Sequence, residues 1–196
     1  MIRNRKLNRL KDHDYSTPGY YFVTICTKGR VEWFGEIKDG AMALNECGKI
    51  VCQCWNDLPN HYQNVALDKF VVMPNHCHGV VVIKNIPVGN GLKPFPTEGD
   101  LKPFPTKNHG LSEIMRGFKT FSSRRINTVG NGLKPFPTAA GPHKFQWQKS
   151  FYDHIIRNEI DLNRIREYIV RNPLQWPNDR NHPSNLGVKQ KISCLS

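Results

Sequence analysis

The sequence predicts an α+β fold in which helices pack on one side of a mostly antiparallel sheet. Three observations carry that expectation. Aromatic and β-branched runs occupy residues 20–28, 65–84 and 145–156, amphipathic segments occupy 43–59, 111–127 and 159–176, and their order is strand, helix, strand, strand, helix, strand, helix. With 196 residues the chain fits a single domain carrying insertions and has enough sequence to bury a sizeable core.

The first element is YYFVTICTK, rich in residues that suit a pleated, half-buried surface. ALNECGKIVCQCWNDLP follows as a helix, with Asn45 or Glu46 near its start and Pro59 as its stop. VALDKFVVMPNHCHGVVVIK reads as two strands broken at Pro74 and Asn75. LSEIMRGFKTFSSRRIN is a helix started by Ser112, with Ile114, Phe118 and Phe121 on one side. FQWQKSFYDHII reads as an edge strand with polar interruptions. The last element, EIDLNRIREYIVRNPLQW, begins at the capping candidate Asn158 and ends at Pro173, with a core stripe of Leu162, Ile165 and Ile169.

Between these elements VGNGLKPFPT occurs at residues 88–97 and again, letter for letter, at 129–138, and LKPFPT recurs at 101–106. The copies are too short and too rich in Gly and Pro to build repeating secondary structure. They define two loop insertions, 88–108 and 129–138, within one domain spanning residues 1–196. A basic arm at 1–14 and a tail at 178–196 complete the expected organisation.

Twenty-eight basic residues stand against 16 acidic ones, a net charge of +12 that suits a polyanionic partner and makes nucleic acid the leading class. No run approaches the ~20 apolar residues of a membrane helix, and residues 1–15 have no apolar signal core. We therefore expect a cytoplasmic protein without a membrane partner. The six cysteines show no CxxC spacing and read as reduced thiols. Basic residues that can track phosphates are Arg3, Arg5 and Arg9 in the arm, Arg116, Lys119, Arg124 and Arg125 on the 111–127 helix, and Arg164 and Arg171 on the last helix. Phe118, Phe121, Trp147 and Tyr152 are aromatics on which bases can stack if they are not core.

The chemistry concentrates in VVMPNHCHGVVVI at residues 71–83. Strand alternation sends His76 and His78 to one face and Cys77 to the other, so the two imidazoles either form a partly solvated pair or share a metal ion. On the last helix Arg164, Tyr168 and Asn172 follow one another at four-residue spacing and share a stripe.

Taken together, YYFVTICT, VVMPNHCHGVVVI, QKSFYDHIIRNE and YIVRNP resemble the REP-associated tyrosine transposases, a group within the single-tyrosine HUH endonucleases. The resemblance spans most of residues 3–177 apart from the insertions, and its specific part is MPNHxH followed about ninety residues later by YIxxNP. It implies a ferredoxin-like core, His76 and His78 as metal ligands, Asn172 as the third ligand and Tyr168 as the nucleophile. The middle position of the histidine motif departs from the group's large apolar residue in being Cys77. The implied reaction is cleavage and rejoining of single-stranded DNA beside a hairpin through a 5′-phosphotyrosine. Mg2+ or Mn2+ is the implied cofactor: the mixed N/O ligand set favours Mn2+ on softness, and cellular abundance favours Mg2+. Tyr152 is the alternative nucleophile. A nuclease using metal-activated water and a non-catalytic nucleic-acid-binding module are the competing functions, and monomer and homodimer are equally compatible with the sequence.

Overall fold

The computed structural model describes Leu10 and residues 13–86, 107–129 and 144–185. Arg3, Arg5 and Arg9 of the basic arm, residues 88–106 and 130–138 of the repeats, and the end of the tail lie outside the described residues.

Six strands and four helices occur in the order β1 (Gly19–Cys26), β2 (Gly35–Lys38), β3 (Ala41–Leu44), α1 (Glu46–Asn56), α2 (Leu58–His61), β4 (Val65–Met73), β5 (His76–Ile83), α3 (Leu111–Val129), β6 (Tyr152–Ile156) and α4 (Glu159–Arg171) among the described residues. The main sheet has the antiparallel order β4-β5-β1-β6. Without the β2–β3 hairpin, the short α2 and α4, the run β1-α1-β4-β5-α3-β6 is the split βαβ arrangement of a ferredoxin-like α+β fold.

Alternation along β1 divides its side chains between two cores. Tyr21, Val23 and Ile25 join Val51 and Trp55 of α1 and Ile114 and Phe118 of α3 on one side of the sheet. Phe22, together with Val80 and Ile156, meets Leu162, Ile165 and Ile169 of α4 on the other. The two helices of the split βαβ unit thus share one side, and α4 covers part of the opposite face. A 13-residue helix is marginal alone. Burying its three aliphatic side chains contributes roughly 5–9 kcal/mol before entropy losses, which fixes α4 on the sheet.

Local signals act where the sequence places them. Asn45 caps α1 by accepting from Gly48 N at 3.0 Å, and Asn158 caps α4 by accepting from Asp161 N at 2.8 Å. α3 starts at Leu111, one residue before the expected Ser112. Two expected boundaries shift. Residues 43–44 belong to β3 rather than to the α1 helix, and Pro59 sits in the first turn of the short α2, a position where its missing N–H is harmless. Within FQWQKSFYDHII only Tyr152–Ile156 is a strand, at the sheet edge. Phe145 and Trp147 turn into the first core, where Trp147 Nε1 donates to Ser122 Oγ at 2.9 Å. Gly79, directly after the histidine motif, packs under the stacked Trp55 and Phe70 rings, where a methyl would collide with the indole. No helix among the described residues is long and apolar enough to cross a membrane.

Candidate active site

His76 and His78 stand opposite Cys26 and Thr24 of β1, on the sheet face that α4 covers, while buried Cys77 joins the opposite core. Their Nε2 atoms face each other at 2.9 Å. The proton positions follow from the neighbours. Asn75 Nδ2 donates to the carbonyls of Arg30 (3.0 Å) and Asn181 (2.8 Å), so its Oδ1 is the atom 2.8 Å from His76 Nδ1. An amide oxygen only accepts, hence His76 carries its proton on Nδ1 and presents a lone pair at Nε2. His78 Nδ1 is 2.8 Å from the Thr24 hydroxyl, which accepts its N–H when the proton is on Nδ1 and donates to it when the proton is on Nε2. Phe22 stacks on His78 at 5.5 Å. Burial depresses both imidazoles, His76 well below its ordinary value and His78 to about 3, with Arg30 and Arg180 adding to the effect. Both are therefore neutral near pH 7, the form that ligates metals.

Packing of α4 brings Tyr168 over this pair. Its Oη lies 3.3 Å from His78 Nε2, its ring meets Phe22 edge-on at 6.0 Å, and the residue keeps 39% of its surface exposed. One turn later Asn172, 2% exposed, closes the helix. Its side chain hydrogen-bonds the Tyr168 phenol and the Asp179 carboxylate, yet its buried Oδ1 has no hydrogen-bond partner. Burial, reinforced by Asp179, holds the Tyr168 phenol above its ordinary value, and the Asn172 bond opposes that rise.

The chain beyond α4 then folds back. A 3-10 turn at Trp176–Asn178 sets the Trp176 ring 5.9 Å from His76, and Asp179 Oδ2 comes within 3.8 Å of His76 Nε2. Ligand atoms of His76, His78 and Asp179 all lie within 4.8 Å of one another. Burial raises the Asp179 carboxyl above its ordinary value, offset in part by the Asn181 N–H. Sequence reasoning missed Asp179, Arg30 and Arg180. Only the basic character of the arginines is legible locally, because their positions depend on contacts across more than a hundred residues.

Tyr152 shares this sheet face, paired with Thr24, but its ring lies against Phe22 at 6.4 Å and under Arg180 at 5.5 Å. Beside it, along the β6 edge, runs a groove of about 590 Å3 lined by Tyr15, His154, Arg157, Asn158 and Arg164 among others. Arg164 and Arg171 are on α4, paired with Asp161 and Glu167. The residues Arg116, Lys119, Arg124 and Arg125 belong to α3, on the far side of the sheet. Lys119 donates to the carbonyls of Gln148 and Lys149, and Arg125 to Gln53 Oε1. Among the described residues, the basic side chains expected to track phosphates thus divide between two faces. Of the aromatics, Phe118 and Trp147 are core, and Phe121 and Tyr152 are exposed.

The donor set fits a divalent ion: two neutral imidazole nitrogens facing inward and a buried carboxylate oxygen, with the unpartnered Asn172 Oδ1 on the helix that covers them. Such a set can hold a divalent ion while leaving positions open to other ligands.

No family model matches the chain. An uncharacterized protein of Haemophilus influenzae is 34% identical over 182 residues, 91% of this chain and 93% of the relative. Among solved structures, a REP-associated tyrosine transposase bound to a REP hairpin superposes with a TM-score of 0.50 at 17% identity, covering 85% of this chain and 73% of that one. The chain therefore belongs to the family of the Haemophilus influenzae protein and has the fold of the REP-associated tyrosine transposase.

Proposed function

We propose that this protein cleaves and rejoins single-stranded DNA beside a hairpin, with Tyr168 as nucleophile and a divalent ion, Mg2+ or Mn2+, held by His76, His78 and Asn172. The observation that carries the reading is the 3.3 Å approach of Tyr168 Oη to His78 Nε2, the nitrogen that faces its partner imidazole. A net charge of +12 supports a polyanionic substrate, and the structural neighbour is itself bound to a REP hairpin.

Held by His76, His78 and Asn172, a divalent ion would supply Lewis-acid polarisation of the scissile phosphate and charge neutralisation at the departing oxygen. Tyr168 Oη forms the new O–P bond as the 3′ oxygen leaves, giving a 5′-phosphotyrosine and a free 3′-OH once the phenol proton has been lost and the leaving oxygen protonated. Phe22 fixes the ring from its edge, and Asn172 holds the phenol oxygen while its Oδ1 remains available. The phosphotyrosine bond retains the phosphodiester energy, so a second 3′-OH can displace Tyr168 without ATP.

The test mixes purified protein, Mn2+ and labelled single-stranded hairpins from the flanks of its own gene, followed by denaturing gels. We expect a covalent adduct with wild type and Tyr152→Phe and none with Tyr168→Phe. Cleavage without an adduct would replace this reading by a nuclease using activated water, and binding without cleavage by a nucleic-acid-binding module.

A further inference from the structure

Asp179 lies outside every element that the sequence marks, yet its side chain is only 4% exposed. A buried carboxylate is tolerated when something compensates its charge. Oδ1 accepts from Asn181 N within its own turn, the Asn172 side chain bonds the carboxylate, and Arg30 and Arg180 offset part of its charge, yet burial still outweighs these contacts. The other oxygen, Oδ2, points at His76 Nε2 from 3.8 Å, beyond hydrogen-bond length. The Asn75 network makes that nitrogen a lone-pair atom, so no hydrogen lies between the two. His78 Nε2 stands 2.9 Å from the same nitrogen, and Asn172 Oδ1, at the end of α4, is buried without a donor. With the His78 proton on the Nδ1 that faces Thr24, the two histidine nitrogens and the carboxylate are acceptors gathered at one point, and a cation is what joins acceptors. Ligand atoms around an ion at ~2.0–2.2 Å are separated by at most about 4.4 Å, so the observed spread, all within 4.8 Å, needs only a small contraction.

The placement of Asp179 is held from outside the carboxylate. Asn75 Nδ2 binds the Asn181 carbonyl, and Arg30 donates to the Asn181 side chain. One residue, Asn75, thereby orients both His76 and the turn that carries Asp179.

We propose that Asp179 is a ligand of the ion shared by His76 and His78, so that the chain beyond α4 forms one wall of the metal centre and is fastened when the ion binds. This rests on the reading that the histidine pair holds a divalent ion. The carboxylate adds the anionic ligand that His76, His78 and Asn172 lack, and it ties residues 176–185 to metal occupancy.

The test titrates the full-length, metal-free protein with MnCl2, following free Mn2+ by electron paramagnetic resonance and amide hydrogen exchange over residues 176–185. Wild type should bind Mn2+ and gain protection in this segment. Asp179→Asn, isosteric but neutral, should bind at least tenfold more weakly and lose that gain, with its metal-free melting temperature within a few degrees of wild type. Asp179→Glu, which keeps the charge, should bind more tightly than Asp179→Asn and serves as the reading if the latter does not fold. Equal affinity and equal protection in wild type and Asp179→Asn would overturn the proposal and leave a centre of His76, His78 and Asn172. Absence of Mn2+ binding by wild type, or binding unchanged in His78→Ala, would overturn the histidine centre itself and this inference with it.

Discussion

Replacing Asn75 by alanine should lower stability by about 3 kcal/mol and weaken metal binding together. The residue is 0% exposed and makes three hydrogen bonds, to the Arg30 carbonyl, the Asn181 carbonyl and the His76 imidazole. Each is worth about 1 kcal/mol net, and alanine leaves all three partners without their bond, which gives the total. For a chain of this size the melting temperature should fall by roughly 6–12 °C. His76 would also lose the acceptor that fixes its tautomer, a change of the kind that lowers metal affinity about 10–100-fold. Asn75→Asp is the sharper variant. It preserves shape and the acceptor for His76, but turns an oxygen toward two carbonyl oxygens and carries charge into a dry site, so it should destabilise at least as much as alanine. Calorimetric melting in EDTA, followed by Mn2+ titration, reads both effects. A shift below about 2 °C for Asn75→Ala, or wild-type stability for Asn75→Asp, would refute the assigned orientation and the role drawn from it.

Two further expectations concern charge. His78 titrates near 3 in the folded protein against 6.5 when unfolded. The unfolded chain therefore binds a proton below pH 6.5 that the folded chain refuses, so the stability from neutral His78 is complete above pH 6.5 and declines as pH falls toward 3, by up to about 1.4 kcal/mol per pH unit. Metal-free His78→Gln should show a flatter melting profile than wild type between pH 6 and 4, and parallel profiles would contradict the shift. Among the basic residues, Arg164→Ala with Arg171→Ala, on the site face, should weaken single-stranded DNA binding and reduce its salt slope by about one to two. Arg116→Ala with Arg124→Ala, on α3 across the sheet, should leave affinity within about twofold. Fluorescence anisotropy over a salt series decides between them, and a larger effect from the α3 pair would move the DNA to the opposite face.

What was legible in the sequence was what short-range physics determines. Alternation put Cys77 on the face opposite His76 and His78, and Asn45 and Asn158 announced their helices because capping is settled within three residues. The β2–β3 hairpin was also legible but went unread: Asp39-Gly40, both at positive φ, is the turn pair for two-residue hairpins, yet four-residue strands carry little pattern. Asp179 was beyond local reading. Nothing near it in sequence marks a ligand, and its meaning comes from Asn75, 104 positions earlier, through a hydrogen bond to Asn181. Asn75 itself reads as a turn residue after Pro74, while the fold makes it the joint between the histidine strand and the chain beyond α4. The division of basic residues between two faces was hidden for the same reason, since periodicity orders residues around one helix but does not say which side of the sheet that helix covers.

Peptide mapping of the covalent adduct tests the central claim most directly. Wild-type protein is reacted with hairpin-flanked single-stranded DNA and Mn2+, digested with nuclease and trypsin, and analysed by mass spectrometry. A nucleotide mass should appear on the peptide Glu167–Arg171, which carries Tyr168. The same mass on Ser150–Arg157, which carries Tyr152, or cleaved DNA with no modified peptide, would contradict it.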